Sequence, residues 1–490
     1  MNKIRNYGML ALLLTLILLF AGHIVYAQTY SVIYDFGSQG STGPLEPMGG
    51  VIAQGRNGSL YSTSPGGGTT NNGTAFTVSP AGNLRVLYSF CSQPNCADGQ
   101  LPTGGLVVSP DGSFYGTTNT GGTTGCYQSF GCGTVFRITP GGSLTTIYRF
   151  QGGNDGANPL ASPVLGRDGN FYGMAYIGGQ SNCGTIYRVT PSGGFDLLYQ
   201  FDMTHGCSPA SALVLGTDGS LYGTTEMGGT SNLGVVFRFT PPANLTVLYN
   251  FKSNGNDTFQ PLGPLYEGND GNFYGTASGQ FGNGAIFRIT PSGVLTFLHV
   301  LNGTTDGAQP ISGVVQGTDG NFYGTASLGG VSGTCDPGGC GTLFKITPSG
   351  NYSVLYSPDG TTGQGPYTTL VQNTNGLFYG DMYKGGDVQS CVSLHDLDIC
   401  GLFYSLDASL PRFVNPVPSF GKVGTTIGIL GQAFTSASKV SFNGIPAKVV
   451  TGSTATFLLA TVPSGATTGF VTVTTPTGTL TSKQKFIILP

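Results

Sequence analysis

Tryptophan is absent from this 490-residue chain, glutamate occurs only as Glu46, Glu226 and Glu267, and histidine only as His23, His205, His299 and His395. Charged residues make up 8% of the sequence and the formal net charge is −3. So little charge excludes the basic stripe that nucleic acid requires and the polybasic patch that draws a protein to a membrane surface. The scarcity of Glu and His leaves little material for acid–base or zinc chemistry, and no Cys-x-x-Cys pair supplies metal ligands. Beyond residue 27 no apolar run is long enough to span a bilayer. Glycine is abundant, at 83 residues, but no Gly-X-Y period exists, which excludes collagen. Aromatic residues at 11% and regular apolar patterning indicate a packed protein, not a disordered one.

The first 27 residues read as a signal peptide. Lys3 and Arg5 precede the apolar run Met9–Phe20, and Val25-Tyr26-Ala27 offers a cleavage site before Gln28. Ten cysteines follow. Proximity pairs Cys91 with Cys96, Cys126 with Cys132, Cys335 with Cys340 and Cys391 with Cys400, which leaves Cys183 for Cys207. An even count in an exported chain predicts five disulfides.

One phrase recurs seven times, carried by Tyr61, Tyr115, Tyr172, Tyr222, Tyr274, Tyr323 and Tyr379. Intact copies read Asn-Phe-Tyr-Gly-Thr-Ala after an Asp-Gly pair, as at Asp270-Gly271 and Asp319-Gly320. A period near fifty means that each unit buries its faces against its neighbours. Within Gly104–Phe150 the text divides into four strands, the first two joined by the tight Asp111-Gly112 turn. Four antiparallel strands repeated seven times predict a seven-bladed β-propeller; a parallel β-helix has shorter coils and no tight Asp-Gly hairpins. Tyr30–Phe36 repeats the fourth-strand text before any first strand, and the last blade lacks a fourth strand after Gly401–Asp407. The N-terminal strand is therefore expected to complete the last blade and remove an open edge. The short turns fall on one face and the long, cysteine-bearing loops on the other.

The expected division is a signal peptide over 1–27, the propeller over 28–410, and a small β-sandwich over 411–490. The last segment resembles the IPT/TIG immunoglobulin-like family through Gly421-Lys422-Val423-Gly424-Thr425, Val440-Ser441-Phe442-Asn443-Gly444 and Val462-Pro463-Ser464-Gly465. That resemblance implies an Ig-like spacer or contact module with no catalytic residues. The repeats resemble the GloVer tandem-repeat family of exported bacterial proteins, through the Asp-Gly-Asn-Phe-Tyr-Gly-Thr phrases and runs such as Gly341–Gly350. It implies export and surface association, with no known activity. Members often carry a variable C-terminal anchor, whereas this text shows no hydrophobic tail, basic terminus or sorting motif after the Ig-like segment. Kelch propellers share the period, but the absence of Trp argues against them.

Individual residues point mainly to scaffold. Asp in the Asp-Gly turns suits tight turns. A second set, Asp98, Asp155 and Asp306 with variants Asp257 and Asp359, recurs in the long loops and is expected to cap them by accepting backbone N–H bonds. One or two acids per copy fall short of a calcium site. The phrase tyrosines are expected to pack between blades, the alternative being platforms for sugar rings. Non-repeated acids are Glu226 and Asp381; His205 and His395 lie in cysteine-bearing loops without visible partners. The reading at this level is an exported, non-enzymatic binding or structural protein, secreted or at the cell surface. Its long-loop face would contact an extracellular protein or glycan, with no cofactor, metal or nucleic acid. The alternative is a secreted polysaccharide-degrading enzyme with its site at the propeller mouth.

Overall fold

A computed structural model describes residues 28–48, 50–126, 130–252, 259–279, 283–330, 335, 338–386, 400–450 and 452–490. Among these residues the fold is all-β. Blades 1 to 7 are numbered by their inner strands, Ala53–Gln54, Val107–Val108, Val164–Leu165, Val214–Leu215, Tyr266–Glu267, Val315–Gln316 and Val371–Gln372. In blade 2 the strands Val107–Val108, Phe114–Thr118, Thr134–Ile138 and Leu144–Arg149 pair in sequence order. Phe114 and Tyr115 pair with Val108 and Val107 across the Asp111-Gly112 turn, as the phrase requires. The inner strands are only two residues long, shorter than the apolar text suggests, because Gly and Pro on either side end the pairing. A register shift interrupts the third and fourth strands of each blade, as between Val135 and Phe136, and such bulges increase twist.

Closure follows the sequence expectation. Thr29–Asp35 pairs antiparallel with Leu402–Asp407, Thr29 opposite Asp407, so blade 7 takes its outer strand from the start of the chain. The phrase strands are wholly buried, and the apolar clusters lie between blades. One such cluster joins Tyr172, Ile186 and Phe201 of blade 3 to Leu221, Phe237 and Phe239 of blade 4.

After the propeller, seven strands form a curled sheet in the order Asn415–Val417, Thr426–Leu430, Phe457–Thr461, Ile445–Val450, Lys439–Phe442, Val471–Thr475, Gly478–Thr481. A parallel pair, Phe420–Lys422 with Ile487–Leu489, lies beside it. Alternating residues such as Ile427 and Ile429, Val440 and Phe442, and Val471 and Val473 face one core. This is a small β-sandwich. It docks on the short-turn face: the Arg56 guanidinium lies 4.4 Å over the Phe457 ring, Thr456 Oγ1 donates to the Arg56 carbonyl at 2.7 Å, and Gln484 Nε2 donates to Tyr266 Oη at 3.1 Å.

Candidate binding site at the mouth of the propeller

Seven prolines, Pro47, Pro102, Pro159, Pro209, Pro261, Pro310 and Pro366, precede the inner strands, five residues ahead in six blades and six ahead in blade 1. Each brings the chain from the rim to the axis on the long-loop face. Proline suits this crossing because its φ is fixed and it needs no N–H partner. Close packing against the preceding blade requires glycine there: a Cβ on Gly133, at φ +91°, would stand 2.7 Å from Pro159 Cδ. At the axis, Val51 bridges Gly105 on one side and Thr369 on the other, so the inner loops of blades 1, 2 and 7 lie side by side.

The residue after each proline enters the mouth. Met48, Leu160, Leu262, Ile311 and Tyr367, with Thr103 and Ala210, form a collar around a cavity of about 550 Å³ to which all seven blades contribute. Among the described residues no charged side chain lines it. Beneath the collar lies a layer of hydroxyls already committed to one another or to backbone. Ser211 Oγ and Thr224 Oγ1 are 2.9 Å apart, and Ser312 Oγ and Thr325 Oγ1 are 2.7 Å apart. Thr103 Oγ1 donates to the Leu160 carbonyl at 3.1 Å, while Thr369 Oγ1 accepts from Gly313 N at 3.0 Å.

Asp381 belongs to this layer. It occupies the phrase position held by Thr63, Thr117, Thr224, Thr276 and Thr325 in other blades and by Met174 in blade 3. There the threonine hydroxyl commonly donates to a carbonyl of the next blade, as Thr117 does to Ala161 at 3.1 Å and Thr325 to Pro366 at 3.0 Å. The Asp381 carboxyl is fully buried, accepts a short hydrogen bond from Thr368 Oγ1, and has no partner on Oδ2. Burial pushes its pKa up to about 7. It does not line the cavity. Glu226, in blade 4, accepts from Tyr176 Oη at 2.9 Å. The fold thus leaves the two non-repeated acids three blades apart, each with its own hydrogen-bond partner.

The repeated acids are scaffold. Asp98 accepts from Tyr88 Oη and from the backbone N–H of Ser92 and Gln93. Asp155 accepts from Tyr148 Oη and Gln151 N, and Asp306 from His299 and Asn302 N. Asp359 accepts from Thr362 N. Loop capping is therefore realised in these four copies; Asp257 lies outside the described residues. Four of the five turn aspartates accept from their own phrase tyrosines, as Asp270 does from Tyr274 Oη at 2.9 Å, while Asp111 accepts from Arg137 and Ser113. Those tyrosine rings stack between blades and offer no sugar platform. His205 pairs with Asp202 at 2.9 Å in an exposed loop; His395 lies outside the described residues. Among the described residues no group of three or more His, Cys, Asp or Glu is placed to hold a metal ion.

Disulfides join Cys91 to Cys96, Cys126 to Cys132, Cys183 to Cys207 and Cys335 to Cys340. Cys400 is disulfide-bonded too; its expected partner Cys391 lies outside the described residues, as does the expected signal peptide over 1–27. The bridges suit an oxidising compartment. No helix among the described residues is long and apolar enough to cross a membrane.

A second cavity, of about 600 Å³, opens on the other face between blades 3 to 5 and the sandwich. Of its four charged groups three hold turns, and the fourth, Lys485, is exposed. Arg167 donates to the Gly216 and Thr217 carbonyls, Glu267 accepts from Thr217 N and Oγ1, and Asp270 holds its own turn. It is the gap left where a curled module meets a flat disc. Glu267 also has repeat equivalents in Gln54, Gln316 and Gln372, each reaching back to the preceding blade's turn, so it serves as a latch.

Sequence reasoning missed the collar. The available signal was a fixed proline followed by a variable, mostly large and apolar residue at the entrance to each inner strand. Among curated proteins none matches this sequence. Solved structures with a similar chain trace include a gluconolactonase, XC5397, from Xanthomonas campestris, at 14% identity over 57% of this chain and 79% of that one, TM-score 0.34. A puromycin hydrolase is 15% identical over 71% of this chain and 51% of the other, TM-score 0.46. A protein of unknown function from Bacteroides thetaiotaomicron is 14% identical over 78% and 76%, TM-score 0.38. No activity passes from such distant likenesses to this chain. The sequence itself matches the Gloeobacter/Verrucomicrobia repeat over residues 23–216, 124–335 and 217–394, the greater part of its length, and the chain belongs to that family.

Proposed function

We propose that this chain is an exported, non-enzymatic binding protein that works through the long-loop face of its propeller, with an Ig-like module of IPT/TIG type docked behind. The observation that carries this reading is the neutral mouth: seven blades converge on a cavity that no charged side chain among the described residues lines. Acid–base catalysis needs positioned titratable groups within hydrogen-bond reach of a substrate. Ligand pockets are predominantly apolar with few polar groups. Exposed Phe130, Met203 and Met227 on the long loops extend the contact surface beyond the mouth. The natural partner on this reading is an extracellular protein or glycan presented to that face.

One observation favours an enzyme instead. Asp381, with its pKa pushed up to about 7 by burial, has the proton affinity of a general acid. It lies behind the collar, so a substrate would have to displace part of the wall. The two readings separate in one survey. Extracellular polysaccharides and surface proteins are offered to the wild type, to Phe130→Glu/Met227→Glu, to Asp381→Ala and to Glu226→Ala, and both binding and turnover are followed. Binding without turnover, weakened by the loop variants, is the expected result. Turnover abolished in Asp381→Ala or Glu226→Ala would overturn the proposal.

A further inference from the structure

The collar has no structural reason to be apolar. Its residues stand at the mouth, not between blades: Met48 is 47% exposed, and Leu160, Leu262, Ile311 and Tyr367 are half-buried. Thr103 and Ala210 fill the same repeat position in blades 2 and 4, so the scaffold accepts small or polar residues there. Proline packing, inner-strand pairing and the hydroxyl layer are all served by neighbouring positions. What the large side chains do create is a concave, uncharged surface around about 550 Å³, within the size range of small-molecule pockets.

The polar groups of this cavity define its ligand further. A sugar offers hydroxyls on every side and needs a protein surface with free donors and acceptors, because unpaired polar groups are costly to bury. Here Thr103, Ser211, Ser312 and Thr369 already make hydrogen bonds within the protein, which leaves the Gln309 amide and the Tyr367 hydroxyl as the few side-chain polar groups of the wall open to a ligand. An anion or cation would find no counter-charge among the described residues of the wall. We infer that the propeller mouth is a binding site for an uncharged, predominantly apolar small molecule, held by the collar of residues that follow the recurring prolines. This rests on the reading of the long-loop face as the binding face and narrows it, setting the glycan aside for the mouth itself.

The test is a fluorescence titration of the disulfide-intact protein with Nile red, a neutral apolar dye, in wild type, Leu262→Asp, Ile311→Asp and Val294→Asp. One saturable site per chain is expected, with a blue-shifted emission. Affinity should fall at least about tenfold in Leu262→Asp and in Ile311→Asp, because each sets a charge against the ligand. It should change less than about twofold in Val294→Asp, on an exposed outer-strand turn. Melting temperatures close to wild type show that the collar variants fold. Binding that fails to saturate, or that is equal in all four proteins, would overturn the inference. So would laminarihexaose binding that the collar variants abolish while Nile red fails to bind; that outcome leaves the long-loop reading standing and removes only the ligand class. Polysaccharide turnover by the wild type would remove the reading itself.

Discussion

A phrase tyrosine can join two structural tasks. Its ring stacks on the phrase phenylalanine of the next blade: Tyr61 on Phe114, Tyr115 on Phe171, Tyr222 on Phe273 and Tyr274 on Phe322, with centroids 4.2, 3.8, 3.9 and 3.8 Å apart. Where the next phrase has leucine, at Leu221 and Leu60, the tyrosine packs on that instead. The hydroxyl of Tyr172, Tyr222, Tyr274 or Tyr323 donates to the turn aspartate four residues earlier. Tyr274→Phe is expected to cost about 1–2 kcal/mol through the lost hydrogen bond to a carboxylate. Tyr274→Ala is expected to cost about 3–5 kcal/mol through the cavity between blades 5 and 6. Denaturant melts measure both, and equal losses would show that the ring is not the dominant part. Asp381 gives a pH prediction. Its folded-state pKa, about 7, stands above the ordinary carboxylate value, so the folded protein holds a proton that the unfolded chain releases. Stability is full below the unfolded pKa and falls as pH rises, by about 1.4 kcal/mol per unit, until the folded pKa is passed. Asp381→Thr, which restores the phrase residue, should flatten that slope and raise the melting temperature at pH 7.5 far more than at pH 4.

At the scale of elements, what could be read in the sequence depended on repetition. The Asp111-Gly112 turn, the phrase strand and the Gly-Thr-x-Phe strand recur with fixed spacing, and steric rules for tight turns and pleated pairs convert that spacing into blades. The pairing of Thr29–Asp35 with Leu402–Asp407 was equally legible, since Tyr30–Phe36 carries fourth-strand text in front of a blade that lacks one. The collar was not, because it is defined by what varies: Leu160, Ile311 and Tyr367 look like ordinary apolar residues until seven chains are brought to one axis. Asp381 stood out as an unlike residue, but only burial shows it to be a stand-in for a hydroxyl. Among loops, Cys183–Cys207 closes 24 residues whereas Cys91–Cys96 closes 5. Loop-closure entropy then favours the former, about 3.5 against about 2 kcal/mol. Paired Cys→Ser variants should rank in that order in chemical denaturation; the reverse order would mean that the short bridge holds more than its own loop.

For the whole molecule, the ring is closed by a strand drawn from the start of the chain, and its short-turn face is occupied by the sandwich. Removing residues 28–36 should expose the Leu402–Asp407 edge, empty the pocket that Phe36 fills beside Phe76 and Phe403, and produce concentration-dependent association. Light scattering checks this, and a monomer with an unchanged melting temperature would contradict it. With one face covered, the neutral mouth on the other is the accessible concavity to which every blade contributes. The most direct measurement of whether it is the binding site is hydrogen–deuterium exchange with and without saturating Nile red. Slowed exchange is expected in several of the equivalent loops at 48–51, 103–105, 160–162, 210–212, 262–265, 311–313 and 367–369. Protection confined to the short turns at 215–219 and 267–271, or to the sandwich at 484–487, would contradict it.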